Sequence, residues 1–251
     1  MLKTVILTTK GNYEHRRWCQ LGHLQTMGWP VTDERLLKIC NGKFAGDYPN
    51  GDAVVSAIAK EFPRWRNVDG SKWDAIKIGD QVVHWNFLKI LQGVVDDNET
   101  CLIIEDDAYF NISYDDLCNR WEDLKGVVGE GIIKVAMLYY ANVERSRKLN
   151  PDGEFIDDFW MKGTKEGGQV ANIYTPEGAR HLIEEKNNPE RYIESHLRAE
   201  GPYIDGFYTA IKPAAKHDAF WNFNSYFGQL HGSTSEKIVE NEFDFYKGED
   251  L

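Results

Sequence analysis

The sequence predicts an α/β protein in which helices flank an open, mostly parallel sheet. Three observations lead to this fold class. Short apolar runs of strand length alternate with longer segments of helical periodicity, no linker divides the chain, and 42% of its 251 residues are hydrophobic against 27% charged. Alternating strands and helices are typical of a parallel sheet. A chain of this length can bury one sizeable core, so we expect a single domain over residues 1–251.

The first half of the chain is expected to supply two strands and three helices. The helix over 78–95 is the most strongly indicated, because its apolar residues recur at steps of three and four. Asp52 is a candidate N-cap for the helix before it, since a short acidic side chain can accept a hydrogen bond from a first-turn amide. The predicted elements are strands at 4–9 and from 101, helices at 14–27, 52–62 and 78–95, and a strand-poor connection over 30–50.

The second half continues the alternation. Ser113 and Asp116 have the spacing of a capping box at a helix start. Thr175-Pro176-Glu177 predicts another helix start, because proline at the first helical position lacks only an amide that would be unpaired anyway. The other predicted elements are strands at 131–140 and 167–174, a loop over 141–166, helices around 178–187 and 189–199, an element at 203–211, and irregular chain from about 212.

Charge and cysteine content narrow the class of function. Lysine and arginine number 29 against 40 aspartates and glutamates, which gives a net charge of −11 and argues against broad attraction to nucleic acid or anionic membrane. The four cysteines are scattered without a CxxC pair, so a reduced, cytoplasmic chain is the simpler interpretation than a disulfide scaffold. No apolar stretch has the length of a membrane span or a signal segment.

One motif carries the clearest chemical signal. Residues 101–110 read CLIIEDDAYF. The first four are apolar and predict a buried strand, and three acids, Glu105, Asp106 and Asp107, follow directly. An open α/β sheet binds its ligands where such strands end. Adjacent carboxylates repel one another, and a divalent cation relieves that repulsion. Glu105 and Asp107 are two residues apart, so they point to the same side of an extended chain and could share one Mn²⁺ or Mg²⁺. The alternative is a solvated acidic turn.

The order of several motifs resembles a known family. A strand leads to an arginine-bearing helix, a glycine-to-histidine helix precedes the acidic strand end, and a strand-to-helix unit and an Ile-Asp pair follow. The matching residues are Arg16, Gly79 and His84, 102–107, Gly178-Ala179 and Ile204-Asp205. Over residues 3–211 this pattern is similar to glycosyltransferase family 25, the lipopolysaccharide and procollagen galactosyltransferase-like enzymes of GT-A fold. It departs at Val83, where the family commonly has serine before the histidine.

The resemblance implies metal-dependent transfer of a sugar from a nucleotide-sugar donor to a hydroxyl acceptor, with inversion. A cation at Glu105 and Asp107 would neutralise the leaving diphosphate, and His217 or His231 could complete its ligands; each histidine could equally be a surface or loop residue. An inverting transfer needs a general base near the acceptor hydroxyl, for which Asp205 is the candidate. The other interpretation of Asp205 is an N-cap.

The donor is expected to lie at the carboxyl end of the first strand. Arg16 can contact a phosphate with two hydrogen bonds, or it can form a surface salt bridge. Asp106 points away from its two acidic neighbours and either fixes the turn or bonds a donor hydroxyl. His84 is expected to be a structural histidine beneath the site. The residues assigned to the donor and its sugar are Thr8, Thr9, Arg16, Asp106, Gly168 and Gln169.

Two other functions fit an acidic strand end. A metal-dependent phosphohydrolase or nucleotidyltransferase uses acids at the same place, and a non-catalytic module could bind a nucleotide sugar without turning it over. The acceptor is equally open among a glycan, a lipid-linked saccharide, a protein hydroxylysine and a hydroxylated DNA base. The sequence specifies neither the sugar, the nucleotide nor the oligomeric state.

Overall fold

A computed structural model describes residues 1–9, 14–68, 76–106, 108–138, 155–162, 171–189, 206–210 and 215–217. Nine strands lie within these ranges. They are β1 (Lys3–Thr9), β2 (Leu37–Gly42), β3 (Cys101–Glu105), β4 (Ala108–Phe110), β5 (Val135–Met137), β6 (Trp160–Lys162), β7 (Ala171–Tyr174), β8 (Phe207–Ala210) and β9 (Ala215–His217). Seven of these described strands form one sheet in the order β2-β1-β3-β7-β5-β8-β6, and β4 pairs with β9 in a separate two-stranded ribbon.

The described sheet is mixed, and five of its seven strands run in the same direction. β1 pairs in parallel with both β2 and β3, and β5 pairs in parallel with β8. β7 is antiparallel to its neighbours β3 and β5, and β6 is antiparallel to β8. Strands β1, β2, β3, β5 and β8 therefore end at the same edge of the sheet, which we call the carboxyl edge; the opposite edge is the amino edge. The predicted open, mostly parallel α/β sheet is confirmed.

Helices cover both faces of this sheet. The described α-helices are α1 (Glu14–Thr26), α2 (Gly51–Glu61), α3 (Ile78–Asp97), α4 (Tyr114–Val128) and α5 (Pro176–Lys186). Successive side chains of a strand point to opposite faces. Ile104 packs with Leu24 of α1 and Trp121 of α4, whereas its neighbour Ile103 packs with Leu91 of α3 and Leu182 of α5. The result is three layers, with α1 and α4 on one face and α3 and α5 on the other.

The chain between β2 and α3 forms a smaller cluster of its own. Val54 and Ile58 of α2 and Trp65 of the short 3₁₀ helix Pro63–Asn67 pack against Val82 and Leu88 of α3. Since β2 ends at the carboxyl edge, this cluster begins beside the edge at which an α/β sheet binds its ligands.

Two helix caps have the predicted form. The hydroxyl of Ser113 accepts a hydrogen bond from the amide of Asp116 at the start of α4. At the start of α5 the hydroxyl of Thr175 accepts from the amide of Gly178, with Pro176 at the first helical position.

The predicted N-cap of α2 is wrong by two residues. Asn50 caps the helix, with its side-chain oxygen accepting from the amide of Ala53, so the helix begins at Gly51 and Asp52 lies in its first turn. Asparagine caps as well as aspartate does, and the sequence offered both within three residues.

Three strands occupy stretches that were expected to lack them: β2 within 30–50, β6 within 141–166 and β9 beyond 212. Each lies at the margin of a sheet or in the ribbon, where one partner strand supplies the pairing and the apolar pattern is weak. In β2 only Leu37 is fully buried. The predicted strand over 131–140 contains the short β5, preceded by the 3₁₀ helix Glu130–Ile132.

Two further observations concern the class of protein. Among the described residues, no helix combines the length and the apolar character that crossing a bilayer requires. Cys40, Cys101 and Cys118 are free thiols in the described part of the chain.

Candidate active site

The acidic motif lies at the centre of the carboxyl edge. β3 is flanked by β1 in parallel register, with Leu7 opposite Glu105, so the ends of the two strands lie side by side. We call Glu105-Asp106-Asp107 the acidic turn, because β3 ends at Glu105 and β4 begins at Ala108. The prediction that a buried strand delivers these acids to the end of a sheet is confirmed for Glu105 and Asp106. Asp107 lies outside the described residues.

Asp106 is held by the first strand. Its carboxylate accepts a hydrogen bond of 2.6 Å from the hydroxyl of Thr8, and both side chains are buried. A hydrogen bond to an ionised carboxylate is among the stronger kinds. Of the two roles predicted for Asp106, this contact supports the first, fixing the turn. It also shows that Thr8, predicted to contact the donor, orients an acid of the turn.

Glu105 faces the other layer of helices. Ile103, two residues earlier on β3, packs among side chains of α3 and α5, and Glu105 is half-buried. On β7, the neighbouring strand, the side-chain amide of Asn172 donates to the hydroxyl of Tyr174 at 2.8 Å. Burial raises the pKa of Tyr174, the hydrogen bond from Asn172 opposes this rise, and the negative charge of Glu105 adds to it. Tyr174 is therefore a neutral hydroxyl beside Glu105.

Helix α1, on the opposite face of the sheet, forms hydrogen bonds to the main chain on either side of the acidic turn. The side-chain amide of Gln20 donates to the carbonyl of Glu105 at 2.6 Å and to the carbonyl of Ala108 at 3.0 Å. One helical turn later, Nε2 of His23 lies 3.0 Å from both the amide nitrogen and the carbonyl oxygen of Phe110, so it accepts from the amide or donates to the carbonyl according to its tautomer. Sequence reasoning missed both residues. The available signal was that Gln20 lies four residues before Leu24 on the core-facing stripe of α1, where a polar side chain is unusual.

Burial explains the protonation state of this histidine. Desolvation lowers the pKa of His23 below its ordinary value of 6.5, against the opposing effect of the backbone oxygen of Phe110. Desolvation is the larger effect, so burial favours the neutral ring. A neutral ring with its lone pair on Nε2 can accept from the amide of Phe110 and so join α1 to β4.

The ribbon brings the C-terminal part of the chain to the acidic turn. β9 pairs antiparallel with β4, and His217 is opposite Ala108. The main chain of His217 is thus next to Ala108, which directly follows Asp107, as a metal ligand from this segment would require. The imidazole of His217 is not among the described side chains. His231 lies outside the described residues.

The described residues contain no group of three histidine, cysteine, aspartate or glutamate side chains that could hold a metal ion. Glu105 offers the hard oxygen ligands that Mn²⁺ and Mg²⁺ take in proteins. The other assigned ligands, Asp107 and the imidazoles of His217 and His231, are not described, so the metal site stays a prediction.

The remaining donor residues are located by the backbone alone or lie outside the described chain. Thr9 is the last residue of β1 and Arg16 lies in the first turn of α1, both at the carboxyl edge, without described side chains. Gly168 and Gln169 lie outside the described residues. Ala171, where β7 begins, pairs with Ile104 next to the acidic turn.

The predicted base, Asp205, lies outside the described residues, so its role stays a prediction. Its neighbour Gly206 accepts a hydrogen bond of 2.8 Å from the amide of Lys134, at the point where β5 is about to begin. That point is on the amino edge, and the four residues of β8 separate it from the carboxyl edge.

His84 is a buried residue of the helical cluster. It is 2% exposed, and its ring lies 5.4 Å from that of Trp65. This position agrees with the structural role that was expected for it, packing α3 against the 3₁₀ helix.

Comparisons with known proteins give a limited result. No family model matches the chain, and no curated protein matches it in sequence, so the resemblance to glycosyltransferase family 25 is not confirmed. The fold is similar to that of the apo form of mouse xyloside xylosyltransferase 1, with 7% identity and a TM-score of 0.40 over 82% of this chain and 78% of the mouse chain. A likeness of this degree does not extend to activity.

Proposed function

We propose that this protein is a metal-dependent glycosyltransferase that moves a sugar from a nucleotide-sugar donor to a hydroxyl acceptor. One observation carries the proposal: the acidic turn lies at the carboxyl end of the central parallel strand, with Asp106 fixed by Thr8 of the neighbouring strand. The ordered motifs that resemble family 25 support the same assignment. Gly178, one of the residues that match the family pattern, also has a structural reason to be glycine: α5 contacts the main chain of Lys134 there and leaves no room for a Cβ atom.

The chemistry follows from the residues of the turn. When bound, a divalent cation would neutralise the charge that develops on the leaving diphosphate. Glu105 and Asp107 are the carboxylates proposed to hold it, with His217 favoured over His231 because the main chain of His217 lies opposite Ala108. Thr8 and Asp106 hold the turn rigid, and a preorganised ligand set costs no rearrangement during the reaction. Arg16 is proposed to bind the diphosphate from the first turn of α1.

The proposed transfer inverts the anomeric centre, so it needs a base that accepts the proton of the acceptor hydroxyl. Asp205 is the candidate from sequence, and it lies outside the described residues. We expect Asp205→Asn to retain donor binding and to lose transfer. Transfer that persists in this variant would mean that the base lies elsewhere.

The decisive experiment screens nucleotide sugars for Mn²⁺-dependent thermal stabilisation and then tests the acidic turn. A ligand present at 100 times its Kd stabilises the native state by about 2.7 kcal/mol. Asp107→Asn should lose the Mn²⁺-dependent stabilisation and the transfer of sugar, while its melting temperature without ligand stays near that of the wild type. Asp123→Asn, on the exposed face of α4, is the matched control and should behave as wild type.

The outcomes separate the three candidate functions. Full activity of Asp107→Asn would overturn the metal assignment. Release of inorganic phosphate or pyrophosphate without sugar transfer would indicate a phosphohydrolase or nucleotidyltransferase. Donor binding with neither transfer nor hydrolysis would indicate a binding module.

A further inference from the structure

We propose that Gln20 is a positioning residue for the acidic turn: it holds the main chain on both sides of Asp106 and Asp107, so that the carboxylates can bind a divalent cation. This inference rests on the proposed function. It concerns a helix residue that touches none of the three carboxylates through a described contact and that belongs to none of the motifs discussed above.

The geometry leaves one role for the carboxamide. Both partners of Gln20 are main-chain carbonyls, which only accept hydrogen bonds, so the NH₂ group must face them with one hydrogen for each. The first carbonyl belongs to Glu105, immediately before Asp106, at 2.6 Å; the second belongs to Ala108, immediately after Asp107, at 3.0 Å. A single side chain therefore ties together the entry to the turn and the exit from it.

Burial argues against a packing role. Gln20 is 0% exposed, and its amide oxygen is buried with no hydrogen-bond partner among the described residues. An unsatisfied buried acceptor costs free energy, so an apolar residue would serve better if the position only filled space. Leu24, one helical turn further along the same buried face of α1, is an apolar residue of the kind expected where a side chain only packs.

Gln20 also completes a set of attachments that approach the turn from different elements. Thr8 holds the carboxylate of Asp106 from β1, Gln20 holds the main chain from α1, and His23 holds Phe110 of β4 from the same helix. Removing Gln20 would leave the carboxylate of Asp106 attached but release the main chain between β3 and β4. Residues that orient metal ligands in this indirect way typically change metal affinity by about 10–100-fold when mutated.

The test compares Gln20→Met with Gln25→Met. Methionine keeps the length of the side chain and loses both donors, whereas Gln25 is exposed on the same helix. Two quantities are measured: the affinity for Mn²⁺ alone, from the electron paramagnetic resonance signal of the free ion, and metal-free hydrogen exchange of a peptide covering 101–112. Gln20→Met should bind Mn²⁺ about 10–100-fold more weakly and exchange faster in that peptide. Gln25→Met should match the wild type in both.

The outcomes distinguish this inference from the proposed function. If Gln20→Met binds Mn²⁺ as tightly as the wild type, the inference is wrong and the proposed function is unaffected. The same holds if Gln25→Met loses as much affinity for Mn²⁺ as Gln20→Met does. Absence of Mn²⁺ binding by the wild type overturns both. If Gln20→Met does not fold, Gln20→Asn is the test variant. Asparagine keeps the NH₂ group on a side chain one methylene shorter, which cannot reach both carbonyls. It should weaken Mn²⁺ binding by at least threefold. Wild-type affinity in Gln20→Asn would overturn the inference.

Discussion

The two edges of the sheet differ in how much of the contact is made by main chain. At the amino edge, main chain packs directly on main chain around the start of β5, and the hydroxyl of Thr175 also donates to the carbonyl of Ile133. The amide of Lys134 donates to the carbonyl of Gly206, and the carbonyl of Lys134 accepts from the amide of Thr175. At the carboxyl edge, buried polar side chains reach across to the turn, as Thr8 does to Asp106 and Gln20 to Glu105.

Glycines show how little room the amino edge has. A Cβ atom at Gly178 would lie 2.0 Å from the carbonyl oxygen of Lys134, and one at Gly206 would lie 2.1 Å from the carbonyl oxygen of Ile132. Gly206 also has a φ of +79°, a conformation that L side chains rarely adopt. This edge therefore tolerates no side chain where α5 and β8 approach the start of β5.

The difference corresponds to what each edge has to do. Direct main-chain contact fixes the layers at a distance that side-chain chemistry cannot vary. At the carboxyl edge, single side chains fix the turn through hydrogen bonds, each of which one substitution can remove. We infer that the amino edge sets the stability of the fold and that the carboxyl edge sets the geometry of the site.

The largest expected effect comes from adding one methyl group at the amino edge. Gly178→Ala places a Cβ against a backbone oxygen that cannot rotate away, so α5 must move off β5. Overpacking costs typically 1–3 kcal/mol, and we expect about 3 kcal/mol here. Urea unfolding measures it, and the affinity for Mn²⁺ in the folded fraction should not change.

A glycine in open space is the control for this variant. Gly126 lies in α4, and a Cβ there would meet no atom within 4 Å. Gly126→Ala should stabilise the protein by about 0.5–1 kcal/mol, because alanine is the better helix former. Similar unfolding curves for the two variants would show that the main-chain approach at the amino edge does not limit stability.

A smaller loss of stability with a larger loss of function is expected at the carboxyl edge. Thr8→Val keeps the shape of the side chain but removes the hydrogen bond to Asp106. A hydrogen bond to a charged group contributes about 1.5–3 kcal/mol, so we expect unfolding to become about 2 kcal/mol easier. Under the proposed function, Mn²⁺ binding and sugar transfer should fall at least tenfold in the same variant.

Thr4 supplies a matched control on the same strand. It is also buried, but its hydroxyl has no hydrogen-bond partner among the described residues. Thr4→Val should therefore be neutral or slightly stabilising and should leave Mn²⁺ binding unchanged. If Thr4→Val weakened Mn²⁺ binding as much as Thr8→Val, the contact with Asp106 would not be what orients the turn.

The comparison also explains which features the sequence predicted. Long helices with a regular apolar stripe and the fully apolar strand that ends at Glu105 follow from periodicity and were predicted with their positions. The caps at Ser113 and Thr175 follow from local chemistry. These features depend on residues near one another in the chain, which is the information a single sequence carries.

The contacts that shape the site are not local. Gln20 meets Glu105 across 85 positions of the chain, and β9 pairs with β4 across more than 100. Only a polar residue on an apolar stripe indicated Gln20 in advance, and the partner strand that makes 215–217 a strand could not be identified without the fold. Asp205 lies outside the described residues, so the role that the motif order suggested for it stays a prediction.

The smallest expected effect is a difference between the two edges in how the free energy of unfolding depends on pH. Because burial lowers the pKa of His23 below 6.5, protonation is harder in the native state than in the unfolded chain. His23 therefore contributes stability that is present above pH 6.5 and is lost as the pH falls through its lowered value. At the amino edge, the hydrogen bond and the charge of Lys3 lower the pKa of Asp97 below 3.8, so its contribution persists to a more acidic range.

Urea unfolding of the wild type and His23→Gln at pH 7.5 and pH 5.5 tests this order. Glutamine offers the amide of Phe110 an acceptor oxygen and does not titrate in this range. The wild type should lose more stability between the two pH values than the variant does, and the extra loss should appear as faster hydrogen exchange in 108–112 but not in 97–101. Equal losses in the two proteins would show that the carboxyl edge does not respond to acid through His23, and the contrast between the edges would then rest on packing alone.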